Sequence, residues 1–297
     1  MEKKSLLIYS KLLLTAVFWG GTFVAGRMIA GRVGPFSAAF LRFACASACL
    51  LYLVLRSEGK LSLLKKQQIF PLVLLGMTGV FCYNVLFFKG LKLIGAGRAS
   101  LIIANNPVFI TLFAALIFRE RLTLLKSTGI ILSVFGAMVV ISRGDPGEIL
   151  RGGVGWGEVF MLGCVASWVA YSLIGKAVMT GKGLTPLIAV TYSSVIGAVA
   201  LFLPASFEGM FHHLPSYGLL DWGSIAYLGI FGTVLGFVWF YEGINAIGPV
   251  RAGQFINFVP VSAVLAAFFI LHEPVTLSLF IGGIFVIGGV TLANAKF

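Results

Sequence analysis

Three observations predict an all-α integral membrane protein, with ten transmembrane helices arranged as two inverted five-helix repeats. Hydrophobic residues make up 59% of the 297 residues and charged residues only 11%, against roughly 25% charged in a soluble domain. Mean hydropathy is +1.02, and so few polar residues cannot cover a water-soluble globule. Apolar stretches long enough to cross ~30 Å of hydrocarbon recur along the chain, and one half of the sequence aligns on the other.

The apolar stretches run 8–30, 35–55, 69–89, 94–118, 123–142, 156–176, 185–204, 222–242, 249–271 and 276–295. The first follows Lys3, Lys4 and Lys11, as a signal peptide's would. It continues through Trp19, Gly20 and Gly21 to Ala30 without a small-x-small cleavage end, so it reads as a retained helix. The second opens at Pro35 and carries Arg42. Only Lys89, Gly90, Lys92 and Gly95 separate the third from the fourth. Gly129 with Gly136 in the fifth, and Gly282 with Gly289 in the tenth, are seven apart and share a helix face. Small residues so placed let membrane helices approach closely. The longest connections, 142–155 and 204–221, have no room for a soluble domain.

Lys and Arg in alternate connections set the orientation. With a cytoplasmic N-terminus, 14 fall on the cytoplasmic side and seven opposite, while Arg42 lies inside a span. Both termini are therefore expected in the cytoplasm and the protein in the cell (plasma or inner) membrane. The net charge of +12 is scattered in ones and twos, which suits topology and lipid heads rather than nucleic acid. Cys45, Cys49, Cys82 and Cys164 all lie in apolar runs with no CxxC pair, so no metal or redox site is expected.

Residues 76–136 align on 229–289 at a constant shift of 153, and 21 of the 61 positions are identical, among them Gly95/Gly248, Arg98/Arg251, Pro107/Pro260, Glu120/Glu273 and Thr123/Thr276. Chance apolar similarity would not pair Arg, Pro and Glu in register. A fainter match at a shift of 149 sets Trp19 against Trp168. The division expected is 1–150 and 151–297. Five helices per unit is an odd number, so the second unit enters the membrane from the other side. Inverted repeats point to alternating-access transport.

Trp19-Gly20-Gly21-Thr22-Phe23, Leu41-Arg42-Phe43, the run from Gly95-x-x-Arg98-Ala99 to Pro107, and Arg119-Glu120-Arg121-Leu122 carry a resemblance. So do Gly248-Pro249-Val250-Arg251-Ala252, Phe255-Ile256-Asn257-x-Val259-Pro260 and Leu271-His272-Glu273. Over nearly its whole length the chain resembles the EamA type of the drug/metabolite transporter superfamily. The resemblance implies ten helices, a central cavity between the halves, and movement of small metabolites, often amino acids. Small multidrug members carry a buried Glu in helix one, which this chain lacks, and that argues against cationic drugs as the main cargo.

Candidate substrate-binding residues are Trp19, Arg42, Tyr83, Asn84, Asn105, Asn106, Trp168, Tyr171, Trp239 and Asn257. Arg42 lies seven residues past Pro35, about 10 Å into the membrane. A charge at that depth costs roughly 2.5–3.5 kcal/mol or more and must face protein, water or an anion. Structural support and binding of a substrate carboxylate are both open readings. Pro107 and Pro260 each remove a backbone donor mid-span and predict kinks, with Asn105, Asn106 and Asn257 beside them as ligands or interhelical ties. Trp19 and Trp168, far from the loops, suit an apolar or aromatic cargo or plain helix packing. Lys89, Glu120, Glu242 and Glu273 are candidate gate charges, or simply solvated helix ends.

An enzyme is not expected. His212, His213 and His272 and both aspartates, Asp145 and Asp221, lie in or beside loops, leaving no buried triad or dyad. Gly153-x-Gly155-x-Gly157 lacks the spacing of a phosphate-binding fingerprint. The expected partners are a small-molecule substrate and the lipid bilayer, with no cofactor, no metal and no nucleic acid, and a monomer is expected. The runner-up reading is export of drug-like or amine compounds, with a receptor or scaffold behind it.

Overall fold

The computed structural model describes residues 2–61, 64–118, 123–145, 154–182 and 185–294. They form ten long helices: α1 Glu2–Ile29, α2 Pro35–Glu58, α3 Lys66–Leu93, α4 Ala96–Ile117, α5 Leu124–Ile141, α6 Trp156–Lys182, α7 Pro186–Phe207, α8 Leu219–Ile247, α9 Arg251–Leu271 and α10 Leu277–Ala293, with a one-turn helix Met210–His213 between α7 and α8. Among the described residues nine are long and apolar enough to cross a membrane, and α10 is a shorter apolar helix of 17 residues. The fold is all-helical, built as two inverted repeats of five.

Most boundaries follow local chemistry. Pro35 and Pro186 open α2 and α7, where the missing N–H costs nothing. Thr123 and Thr276 cap α5 and α10 alike, each hydroxyl accepting from the backbone N–H three residues on, at 3.3 and 3.2 Å. Gly59 ends α2 in the left-handed region. α6 runs on past the apolar stretch to Lys182, because charge ends an apolar run but not a ladder of backbone hydrogen bonds.

Two departures from regular helix are paired by the repeat. Gly76–Cys82 in α3 and Tyr227–Leu235 in α8 are π-helical. In α4 the helix is interrupted at Ala104–Asn105, and in α9 it tightens to 3₁₀ over Phe255–Asn257, each just before its proline.

Packing follows the same symmetry. α1 lies on α8 and α9 of the opposite repeat, and α6 lies on α3 and α4. α2 packs on α7, and α5 on α10. In the last pair the backbones touch. A Cβ at Gly129 would stand 2.7 Å from the Gly289 carbonyl oxygen, and one at Gly136 would stand 2.7 Å from that of Gly282. The largest buried cluster runs through Phe23, Ile29, Phe87, Leu91, Met161 and Leu228, joining helices of both repeats.

The helix order defines two membrane faces. The near face carries the start of α1. The far face carries the α1–α2, α3–α4, α7–α8 and α9–α10 turns.

Candidate functional site

Arg42 is the centre from which the site is built. It lies on α2 with 8% of its surface exposed. Its Nη1 donates to Asn84 Oδ1 at 3.0 Å and its Nε donates to Thr233 Oγ1 at 3.2 Å. Asn84 and Thr233 are each 1% exposed. Both are held by the π-helical segments. Asn84 Nδ2 donates to the carbonyls of Gly79 and Val80, at 3.3 and 2.9 Å, and Thr233 Oγ1 donates to that of Leu228 at 3.0 Å. One buried cation is thus fixed between the two repeats. Among the described residues no carboxylate lies within ion-pair distance of it.

Aromatic rings line one side of this core. Tyr83 meets Phe87 and Trp168, with ring centroids 6.0 and 5.3 Å apart, and Trp168 meets Tyr171 at 5.2 Å. The Tyr171 ring lies over Gly79, where a Cβ would stand 2.6 Å from Cε2. On the other side Trp19 donates to the Gly232 carbonyl at 3.0 Å and packs on Phe237 and Phe240.

The repeat symmetry holds in backbone and breaks in chemistry. A Cβ at Gly229 would stand 3.0 Å from the Arg42 carbonyl oxygen, and one at Gly76 would stand 3.0 Å from that of Ser193. Ser193 is therefore the counterpart of Arg42. One half of the site carries a cation and the other a hydroxyl beside aromatic rings.

The remaining candidates are scattered. Asn105 is buried, accepting from Ser133 Oγ at 2.7 Å and donating to the carbonyls of Leu101 and Ile102, so it ties α4 to α5. Asn257 donates to Thr291 at 3.2 Å, tying α9 to α10. Asn106 is buried with no partner for its Oδ1 among the described residues. Pro260 is buried and Pro107 half-buried. Trp239 sits toward the near face beside Phe18 and Lys11.

The candidate gate charges fall at both ends. Near the near face, Lys11 pairs with Glu242 at 2.6 Å. Lys89, the counterpart of Glu242, lies over the rings of Phe36 and Phe160. Glu273 accepts from the backbone N–H groups of Ala96 and Gly97, at 2.9 and 3.2 Å, capping α4. Glu120 lies outside the described residues.

Sequence reasoning missed Thr233, the second partner of Arg42. The alignment held a signal, since Thr233 stands opposite Val80 and breaks an apolar match. It also missed Glu208, whose carboxylate accepts from Ser37 N and Oγ at 2.7 Å each and from Phe36 N at 3.3 Å, capping α2.

Two clefts, of about 350 and about 190 Å³, open at the far face. Arg27, Arg98, Arg143 and Glu273 line the larger, and neither reaches Arg42. Among the described residues no group of three His, Cys, Asp or Glu could hold a metal ion.

A multi-pass helical bundle of two inverted repeats, with polar groups buried where they meet, defines a membrane transporter. The EamA-like transporter family model matches the chain twice, over residues 6–142 and 155–295. The chain belongs to that family. It is 32% identical over 292 residues to the uncharacterized transporter YyaM of Bacillus subtilis (strain 168), covering 98% of this chain and 94% of that one. It is 30% identical to a probable terminal-alkyne amino-acid exporter of Streptantibioticus cattleyicolor, covering 96% and 92%. A crystal structure 20% identical in sequence superposes with a TM-score of 0.62 over 95% of this chain and 96% of that one, which shows the shared fold. The protein is a transporter and not an enzyme, and its setting is the lipid bilayer.

Proposed function

We propose that the chain exports a small neutral or zwitterionic, amino-acid-like metabolite by alternating access between units 1–150 and 151–297. Arg42 receives the carboxylate of the cargo, and the body of the cargo lies against Tyr83, Trp168, Tyr171 and Trp19. The observation that carries this reading is a buried guanidinium held by both repeats and met only by neutral partners among the described residues. A cation removed from water calls for an anion, and a carboxylate from outside would supply it. The relative named as a probable amino-acid exporter supports the same class.

In this reading both termini lie in the cytoplasm, the protein sits in the plasma or inner membrane, and the monomer suffices. Pro107 and Pro260 let α4 and α9 flex, while Lys89, Glu120, Glu242 and Glu273 act at the gates. Asn105 and Asn257 serve as interhelical ties in this reading. The Tyr83–Trp168–Tyr171 cluster gives the second reading, an amine or drug-like cargo held by cation–π contact.

Uptake of labelled amino acids and amines into proteoliposomes, with and without a pH gradient, decides between them. Amino-acid uptake that the matching amine does not inhibit supports the first reading. Amine uptake alone overturns it.

A further inference from the structure

Four acids of one repeat fasten the far face to the other. Glu158, Glu208, Asp221 and Glu273 belong to the second repeat. Their partners, in order, are Arg98 at 2.9 Å, the Phe36–Ser37 start of α2, Arg32 at 3.2 Å and the Ala96–Gly97 start of α4, all in the first. Arg98 also donates to the Ile141 carbonyl. These contacts differ in weight. Arg32 is 56% exposed and its pair is screened by water, whereas Glu158 is 3% exposed and Arg98 14%. A carboxylate on backbone N–H groups at a helix start gains both charge-assisted hydrogen bonds and the helix dipole.

An inverted repeat leads one to expect a mirror set at the near face, with first-repeat acids docked on the second. The geometry identifies the mirror positions. α3 and α8 begin 153 residues apart with matching caps, Lys65 N–H to Gln68 Oε1 at 2.8 Å and Gly218 N–H to Asp221 Oδ2 at 3.0 Å. Gln68 is thus the counterpart of Asp221, and it is uncharged. The prolines that open α2 and α7 set Ser57 opposite Glu208. The offset of Trp19 from Trp168 sets Tyr9 opposite Glu158, and Tyr9 is stacked on Phe255. Three of the four acids have neutral counterparts, and the fourth counterpart is Glu120.

We propose that Glu158, Glu208, Asp221 and Glu273 are gating residues of the transport cycle that bias the protein toward a state closed at the far face. The proposal rests on the alternating-access reading above. The two repeats share backbone geometry, so the two closed states would otherwise be close in energy. Opening the far face must break four carboxylate contacts together. Among the described residues, the near face offers Lys11–Glu242 as its ion pair. An equilibrium between two such states follows the difference in their contacts.

The test uses two label pairs that the repeat relates. Leu93 and Leu277 mark the far face, and their counterparts 153 residues away, Ala246 and Leu124, mark the near face. All four are exposed. Spin labels are placed at each pair in a cysteine-free protein in nanodiscs, and the distances are measured by pulsed dipolar spectroscopy. The far pair is expected to give one short distance and the near pair a longer or broader one. In the E158Q/E208Q/D221N/E273Q variant the far pair should gain a long component, its share relative to the short one rising about tenfold or more.

The E208Q/E273Q variant keeps an acceptor oxygen at both caps and should shift the same way by about threefold to tenfold, which holds the test open if the fourfold variant does not fold. Distances in the variants identical to those of the parent overturn the proposal. Pairs that move when a transported amino acid is added, yet ignore the substitutions, refute the latch and leave alternating access standing. Pairs fixed under every condition refute alternating access itself.

Discussion

Arg42 on α2 gives a hydrogen bond to the side-chain oxygen of Asn84 on α3 at 3.0 Å, so a positive charge deep in the bundle meets an amide dipole rather than an acid. If a cargo carboxylate completes that charge, Arg42→Gln keeps the fold and raises the half-saturation concentration. A lost charge-assisted contact is worth roughly 1.5–3 kcal/mol, about ten- to a hundredfold at low substrate. Uptake of the acid and of its amide is compared in proteoliposomes, and the amide should lose less. Equal losses for both would refute the binding role.

Thr233→Val keeps the shape of the side chain and removes the acceptor for Arg42 Nε. The half-saturation concentration should rise, by less than in Arg42→Gln. Because the two groups act as one unit, the double variant should be no worse than Arg42→Gln alone. Fully additive losses would show that Thr233 acts elsewhere.

Gly289→Val tests the α5–α10 contact. A Cβ there would stand 2.7 Å from the Gly129 carbonyl oxygen, with backbone on both sides and nothing flexible to yield. Overpacking of this kind costs at least about 1–3 kcal/mol, so the melting temperature in detergent should fall. One position earlier, a Cβ at Gly288 meets nothing within 4 Å. Gly288→Ala should leave the melting temperature unchanged or raise it, since Ala is favoured in a helix by about 1 kcal/mol. Equal effects of the two substitutions would remove the packing argument.

Topology has its own check. Lys60 lies past the end of α2 on the near face, and Leu219, 92% exposed, begins α8 on the far face. Single cysteines at these positions should react with an impermeant thiol reagent from opposite sides of intact cells, Leu219→Cys from outside. Reaction of both from one side would sink the ten-helix topology.

Much of the fold was legible because the signals that set it are one-dimensional. Apolar length marks a span, Pro35 and Pro186 mark helix starts, and Gly129/Gly136 with Gly282/Gly289 mark a close face. The π-helical segments left no such mark, since an extra residue inside an unbroken apolar run changes neither length nor polarity. The neighbourhood of Arg42 was legible in part. Its depth came from Pro35, but Thr233 lies 191 residues away, and only packing brings it within 3.2 Å. Asp221 read as a loop acid, and Glu208 carried no signal at all, until the structure set each against a partner on the other repeat.

The α5–α10 crossing has a consequence for how such a molecule can move. Exchanging the repeats turns the Gly129–Gly289 contact into Gly282–Gly136, which the structure also contains. A contact set that maps onto itself looks the same before and after the two halves trade shapes. In the proposed cycle the crossing would therefore serve as a fulcrum, a contact that the exchange of shapes leaves as it was. A wedge driven between Gly129 and Gly289 would not favour one side of the membrane over the other, but would loosen the pivot on which both openings depend.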